Sequence, residues 1–266
     1  MGADTKILRT RIKSVDSTLH LTKAMGLVAS SKIRKANEAM LKSREYVKSL
    51  DTILNTLTAC PECSKSPFMR NNGNRTRLIV IAGDRGLAGG YNANIFRLAR
   101  EYPDAEIIPI GKRPCDRFAK SPISSESFSS AEAYALAKTL CTDFSEEKYD
   151  RLGIVSTRYI SMMTQEAFVR WVLPLSKSME KQSVSVVFEP DEMTVFNTVI
   201  LEYVSGLIVA SVRESFASEV AARRMAMDSA GKNAGQMIDS LQLQYNRARQ
   251  GAITQEITEI VAGSGV

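Results

Sequence analysis

The stretch Ile12–Leu57, IKSVDSTLHLTKAMGLVASSKIRKANEAMLKSREYVKSLDTILNTL, decides the reading of this chain. Steps of three and four alternate through Ile12, Val15, Leu19, Thr22, Gly26, Ala29, Ile33, Ala36, Met40, Ser43, Val47, Leu50, Leu54 and Leu57. Most of these are apolar or small, and the Lys, Arg and Glu residues fall between them. A 3.5-residue repeat turns one stripe of a helix toward a partner helix and winds the pair left-handed. At 1.5 Å per residue the stretch is about 70 Å long, too long for a compact domain of this size. The helix is therefore expected to project.

Proline marks how far this pattern extends. All eight prolines lie between Pro61 and Pro190, leaving both ends of the chain free of them. Proline costs about 3 kcal/mol inside a helix, so the spacing divides the chain into helix, mixed domain and helix. The predicted segments are an N-terminal coiled-coil helix at 1–60, an α/β domain at 61–190 and a C-terminal coiled-coil helix at 191–266. Asp191 and Glu192 suit a helix start, where acids meet the positive end of the dipole. Downstream, Met227, Ala230, Ala234, Met237, Leu241, Ala248 and Ala252 form the expected seam, followed by Ile253, Ile257 and Val261. Helices from opposite ends of a chain pair most simply antiparallel. The predicted fold class is α/β plus a long coiled coil, the terminal helices forming a shaft with a Rossmann-like domain between them. Small residues in the seam make such a pair weak alone, which calls for a surrounding partner.

The middle alternates strand and helix signals. Leu78–Ala82, Glu106–Ile110, Leu152–Ser156 and Ser183–Phe188 read as strands, and Asn92–Tyr102 and Ala131–Phe144 as helices. That order predicts an open, mostly parallel sheet. After the first strand comes Gly83-Asp84-Arg85-Gly86-Leu87-Ala88-Gly89-Gly90. A glycine-rich turn between strand and helix is where phosphate-binding proteins expose backbone N–H groups. Here the GK[ST] ending and the GxGxxG spacing are both missing. Gly83, Asp84, Arg85, Gly86, Gly89 and Gly90 are therefore expected to form a structural turn that needs positive φ. A nucleotide-binding protein using this loop remains the alternative, and a self-paired coiled-coil tether is a second.

The net charge of +6 is concentrated in residues 1–60, with eleven Lys/Arg against five acids. Either a solvated basic helix face or an acidic partner surface accounts for it, and no nucleic-acid motif is present. Cys60-Pro61-Glu62-Cys63 is a lone CxxC without the further ligands of a closed zinc site, so no metal is expected. His20 is the only histidine. It lies far along a basic helix from any nucleophile, so no catalytic set and no cofactor are expected. No run is read as membrane-spanning, and no secretory signal is seen, which predicts a soluble, intracellular protein without direct membrane insertion.

Three strings share one resemblance. Arg11-Ile12-Lys13-Ser14-Val15, with Thr22-Lys23-Ala24-Met25 and Val28-Ala29-Ser30-Ser31-Lys32, is similar to the N-terminal signature of the ATP synthase gamma-subunit family. Asp84 to Asn92 resembles the family's glycine turn, with Ala88 in place of its usual Cys. Ala221-Ala222-Arg223 and the run Tyr245–Val261 resemble its C-terminal signature. The resemblance covers nearly the whole chain, in order.

It implies a non-catalytic central rotor shaft, one copy per complex, inside a hexamer of alpha and beta subunits. The shaft would stand with epsilon on a membrane c-ring and couple ion flow to ATP synthesis or hydrolysis. Lys23, Met25, Arg223, Arg249, Gln250 and Thr254 match positions that contact the catalytic beta subunits, with Lys32 among the neighbouring basic residues. Ile257, Ile260 and Val261 match an apolar bearing. The implied location is the cytoplasmic face of a bacterial plasma membrane, as a peripheral protein, with an organellar origin left open.

Overall fold

The computed structural model describes residues 3–70, 73–176 and 188–263. Two helices dominate, α1 at Ala3–Ala59 and α5 at Glu192–Gly263. The chain forms two compact units, one of residues 1–30 with 223–266 and one of residues 31–222. Each long helix contributes to both.

The larger unit is built on a four-stranded sheet of order β2-β1-β3-β4: β1 Thr76–Ile81, β2 Glu106–Ile110, β3 Arg151–Tyr159 and β4 Gln165–Leu173. β1 pairs parallel with β2 and β3, while β3 and β4 form an antiparallel hairpin. Pro109 lacks an N–H for a ladder and accordingly lies in β2, at the edge of the sheet.

Alternation along β1 covers both faces. Leu78, Val80 and Ala82 pack with Ile95 and Ala99 of α2 (Tyr91–Ala99). Ile79 and Ile81 turn the other way, toward Leu140 and Phe144 of α4 (Ser130–Ser145) and toward Leu57, Phe196 and Ile200 of the long helices. A shorter helix, α3, spans Lys112–Arg117. The start of α4 is fixed by a capping box in which Ser129 and Glu132 exchange hydrogen bonds with each other's backbone N–H.

α5 begins on Asp191, whose carboxylate accepts from the Thr194 N–H at 2.9 Å and hydroxyl at 2.8 Å. Contrary to the expectation of no span, α5 is long and apolar enough to cross a membrane by length and composition. The apolar stretch is 56% buried, and Phe196, Ile200, Val204 and Ile208 are fully enclosed in the core of the sheet unit. A core helix meets the same criterion, and that is the role these side chains take here.

Every residue of the α1 heptad is buried or half-buried, as the 3.5-residue repeat requires. The α5 seam differs at one place. Met237 is 46% exposed, and Ile238 takes the inward position between buried Ala234 and Leu241. The expected strand at 183–188 lies outside the described residues except for Phe188, which is irregular. β4 was not expected; with Arg170 and Trp171 among its residues it looks neither alternating nor uniformly apolar.

Candidate partner-binding face

In the smaller unit the two helices run antiparallel. A Cβ at Gly26 would meet Arg224 Nη1 at 3.1 Å and Met227 Cβ at 3.6 Å, and one at Gly231 would meet Thr22 Oγ1 at 3.6 Å. Thr22 is buried and satisfies its hydroxyl by donating to the Leu19 carbonyl at 2.9 Å. The small side chains leave a groove of about 500 Å³, whose rim carries Lys23, Arg224 and Lys232 against Asp228. Of these, Lys232 is bound to Asp228 at 2.9 Å.

Of the residues expected to meet partners, Lys23 is exposed on this groove, whereas Met25 and Arg223 are half-buried. Arg249, Gln250 and Thr254 are exposed on α5, where the Thr254 hydroxyl donates to the Gln250 carbonyl at 3.0 Å. Continued toward the start of α1, the antiparallel register leaves the last turns of α5 with no facing helix. There Ile253, Ile257, Ile260 and Val261 are 47–69% exposed. Leu21, Leu27 and Val28 on α1 are also more than half exposed. Leaving several large aliphatic side chains in water forfeits about 1 kcal/mol or more each, relative to burying them. Sequence spacing alone did not single out Leu21, Leu27 and Val28, because they fall between heptad positions.

The glycine turn lies in the larger unit, between β1 and α2. Gly83 N–H donates to Asn92 Oδ1 at 2.9 Å, and Asn92 Nδ2 donates to the Arg85 carbonyl at 3.1 Å. The Asp84 carboxylate accepts from the N–H groups of Lys112 (3.0 Å), Ser125 (2.9 Å) and Glu126 (3.3 Å) and from the Ser124 and Ser125 hydroxyls. Burial alone would raise its pKa, but these donors outweigh burial and hold it below the usual carboxylate range. Positive φ occurs at Gly89 (58°) and at Leu87 (62°), whereas Gly83, Gly86 and Gly90 do not adopt it, so the expected need for positive φ is confined to one glycine of the turn. Thus the Gly83 amide has an internal partner, and the Asp84 carboxylate puts a negative charge beside the turn while it ties the turn to residues 112–126. Both features disfavour phosphate there.

A polar seam joins α5 to the C-terminal ends of the strands. The Thr157 N–H donates to Ser215 Oγ at 3.2 Å, and the Tyr91 hydroxyl donates to the Ser215 carbonyl at 2.9 Å. Buried Glu214 accepts from the Tyr159 N–H at 3.0 Å and from Arg44 Nη2 at 2.6 Å. Buried Glu219 lies where a Gly83 Cβ would be, 2.6 Å from its carboxyl carbon. Burial, reinforced by Cys60, pushes the Cys63 thiol up to about 11, and Cys63 Sγ donates to the Glu192 carbonyl at 3.7 Å.

The fold and this face define an α/β protein with antiparallel terminal helices whose outward surface is apolar and basic. A family model described as ATP synthase matches residues 4–265. The ATP synthase gamma chain of Ruminococcus albus is 38% identical over 280 residues, covering 98% of each chain. That of Xanthomonas campestris is 37% identical over 278 residues, covering 97% of each, and that of Clostridium perfringens is 34% identical over 277, covering 99% of this chain and 98% of the relative. The chain belongs to the ATP synthase gamma-chain family.

Among solved structures, a chain of the Euglena gracilis mitochondrial ATP synthase, in an OSCP/F1/c-ring assembly, superposes with a TM-score of 0.71. It is 18% identical and covers 100% of this chain and 97% of its own length. A chain of the Tetrahymena thermophila mitochondrial ATP synthase central stalk and c-ring gives 0.61 at 21% identity, covering 79% of this chain and 99% of that one. At these identities the likeness is one of fold.

Proposed function

We propose that the chain is the central rotor shaft of a bacterial F-type ATP synthase and performs no bond-making chemistry itself. Ion flow through a membrane c-ring turns it, and its asymmetric surface drives the catalytic beta subunits in turn through states of different nucleotide affinity, a population shift imposed by contact. The observation that carries this reading is the band of exposed aliphatic residues, Ile253, Ile257, Ile260 and Val261, on turns of α5 that lack a facing helix. An apolar sleeve formed by the alpha and beta subunits would bury them, and short aliphatic contacts let one surface slide past another where ion pairs would lock it.

Lys23, Met25, Arg223, Arg249, Gln250 and Thr254 are assigned to contacts with the beta subunits. The basic residues among them would meet an acidic surface, giving orientation as well as attraction. The larger unit would stand with epsilon on the c-ring, at the cytoplasmic face of the membrane. Gly83, Asp84, Arg85, Gly86, Gly89 and Gly90 are assigned a structural role. Co-expression with the alpha and beta subunits tests the reading: this chain is expected to co-purify as one copy in an ATP-hydrolysing complex. A chain that stays monomeric beside intact alpha and beta subunits would overturn it.

A further inference from the structure

The larger unit also carries a basic surface to whose residues the shaft reading gives no role. α1, α5 and the β3–β4 hairpin line an open surface cavity of about 450 Å³ whose lining includes Arg44, Lys48, Arg158 and Arg170. Two acids share this lining, Asp51 and Glu214. Glu214 is bound by Arg44 and the Tyr159 N–H, and Asp51 accepts from the Tyr203 hydroxyl. Glu166 stands opposite Arg158 in the strand register without closing an ion pair to it. Among the described residues, Lys48, Arg158 and Arg170 therefore have no carboxylate partner.

Two of these cations are held in place. Arg158 stacks with its guanidinium carbon 4.5 Å from the Phe168 ring centre, and Arg170 approaches the same ring at 5.8 Å. A guanidinium fixed against a ring loses less freedom when it binds, and its planar fork matches the oxygens of phosphate. We propose that this cavity binds a multivalent phosphate-type oxyanion, held by Lys48, Arg158 and Arg170 and backed by Arg44. Phosphate esters of a soluble metabolite and the headgroup of an anionic lipid share this chemistry. The cavity has the volume usual for small-ligand sites.

The test is calorimetric titration of the full chain with inorganic pyrophosphate, against sodium sulfate at equal ionic strength. A parallel arm measures sedimentation with phosphatidylcholine vesicles, with and without phosphatidylglycerol. The expected result is saturable one-site binding of pyrophosphate, or phosphatidylglycerol-dependent sedimentation that pyrophosphate reverses; the second outcome identifies the lipid headgroup as the source. Lys48→Ala and Arg158→Gln should each weaken binding about tenfold, the loss of one charge-assisted contact, while Lys120→Ala leaves it unchanged. Both test positions are exposed, and melting curves without ligand establish that the variants fold. Absence of saturable binding in both arms, equal competition by sulfate, or equal loss in Lys120→Ala would overturn the proposal.

Discussion

Replacing Arg44 by Met removes the cation that faces a carboxylate inside the larger unit while keeping most of the apolar stem. The Glu214 side chain is only 10% exposed, and Arg44 Nη2 reaches both its Oε1 at 2.6 Å and the Tyr159 carbonyl at 2.9 Å. After the change, Glu214 keeps the Tyr159 N–H and nothing else that this structure records. Breaking a wholly buried pair costs about 3–5 kcal/mol, but Arg44 is itself 40% exposed, so water can reach the carboxylate. A charge-assisted hydrogen bond alone contributes about 1.5–3 kcal/mol, which places the expected loss near 2 kcal/mol. For a unit of this size that lowers the melting temperature by about 4–8 °C.

Glu214→Gln keeps an acceptor for Tyr159 and should cost about 1 kcal/mol. The double variant should then fall short of the summed losses by about 1 kcal/mol. Thermal unfolding of the four proteins, followed by circular dichroism at low and high salt, measures this coupling. Because Glu214 is 10% exposed but Arg44 is 40% exposed, high salt should reduce the coupling in part without abolishing it. Losses that add to within about 0.3 kcal/mol would refute the claim that this contact ties α1 to α5 and the sheet.

Three further outcomes are expected. Asp84 is held below its unfolded pKa, so its contribution is complete above about pH 4 and is lost as pH falls through the folded value. Asp84→Asn should therefore lower stability at neutral pH by about 2 kcal/mol and flatten part of the acid-unfolding slope in urea titrations; an unchanged slope would remove Asp84 from that role. Gly83→Ala should cost about 1–3 kcal/mol by crowding buried Glu219, and Gly89→Ala, with φ 58°, about 1 kcal/mol; chemical denaturation reads both, and neutrality at either site would count against the geometry described. Ile257→Asp with Ile260→Asp should leave the free chain within about 0.5 kcal/mol of its original stability, since both residues are exposed. The same pair should weaken co-purification with the alpha and beta subunits, and full retention would argue against an apolar sleeve.

The α1 seam could be read from sequence because its 3.5-residue spacing continues from Ile12 to Leu57, with Met, Val and Leu between charges in the second half. Around Thr22 and Gly26 the seam is small, and Leu21, Leu27 and Val28 face outward. On α5 the seam consists largely of Ala, which differs little in cost between facing in and facing out. The register therefore could not separate Met237 from Ile238. Glu214, Ser215 and Glu219 look like one polar helix face in sequence, and only the ends of β1 and β3 reveal why they are buried. β4 escaped notice because Glu166 and Arg170 interrupt its apolar residues, and its Trp171 ring is covered by Arg151 of the neighbouring β3. The basic cavity was invisible for a related reason, since Lys48, Arg158 and Arg170 come from three separate elements. In the proposed contact set, the aliphatic end of α5 is marked in the structure by its exposure, while its assignment as a bearing comes from family resemblance. The polar contacts rest on family resemblance.

The central claim is that this chain turns. A surface cysteine placed on the sheet unit, in a background lacking the four native thiols, can carry a gold particle while an alpha–beta hexamer is fixed to glass. On addition of ATP the particle is expected to rotate continuously in one direction, and to stop when a cross-link joins the end of α5 to a beta subunit. Steady ATP hydrolysis by the same complexes with the particle motionless would contradict it.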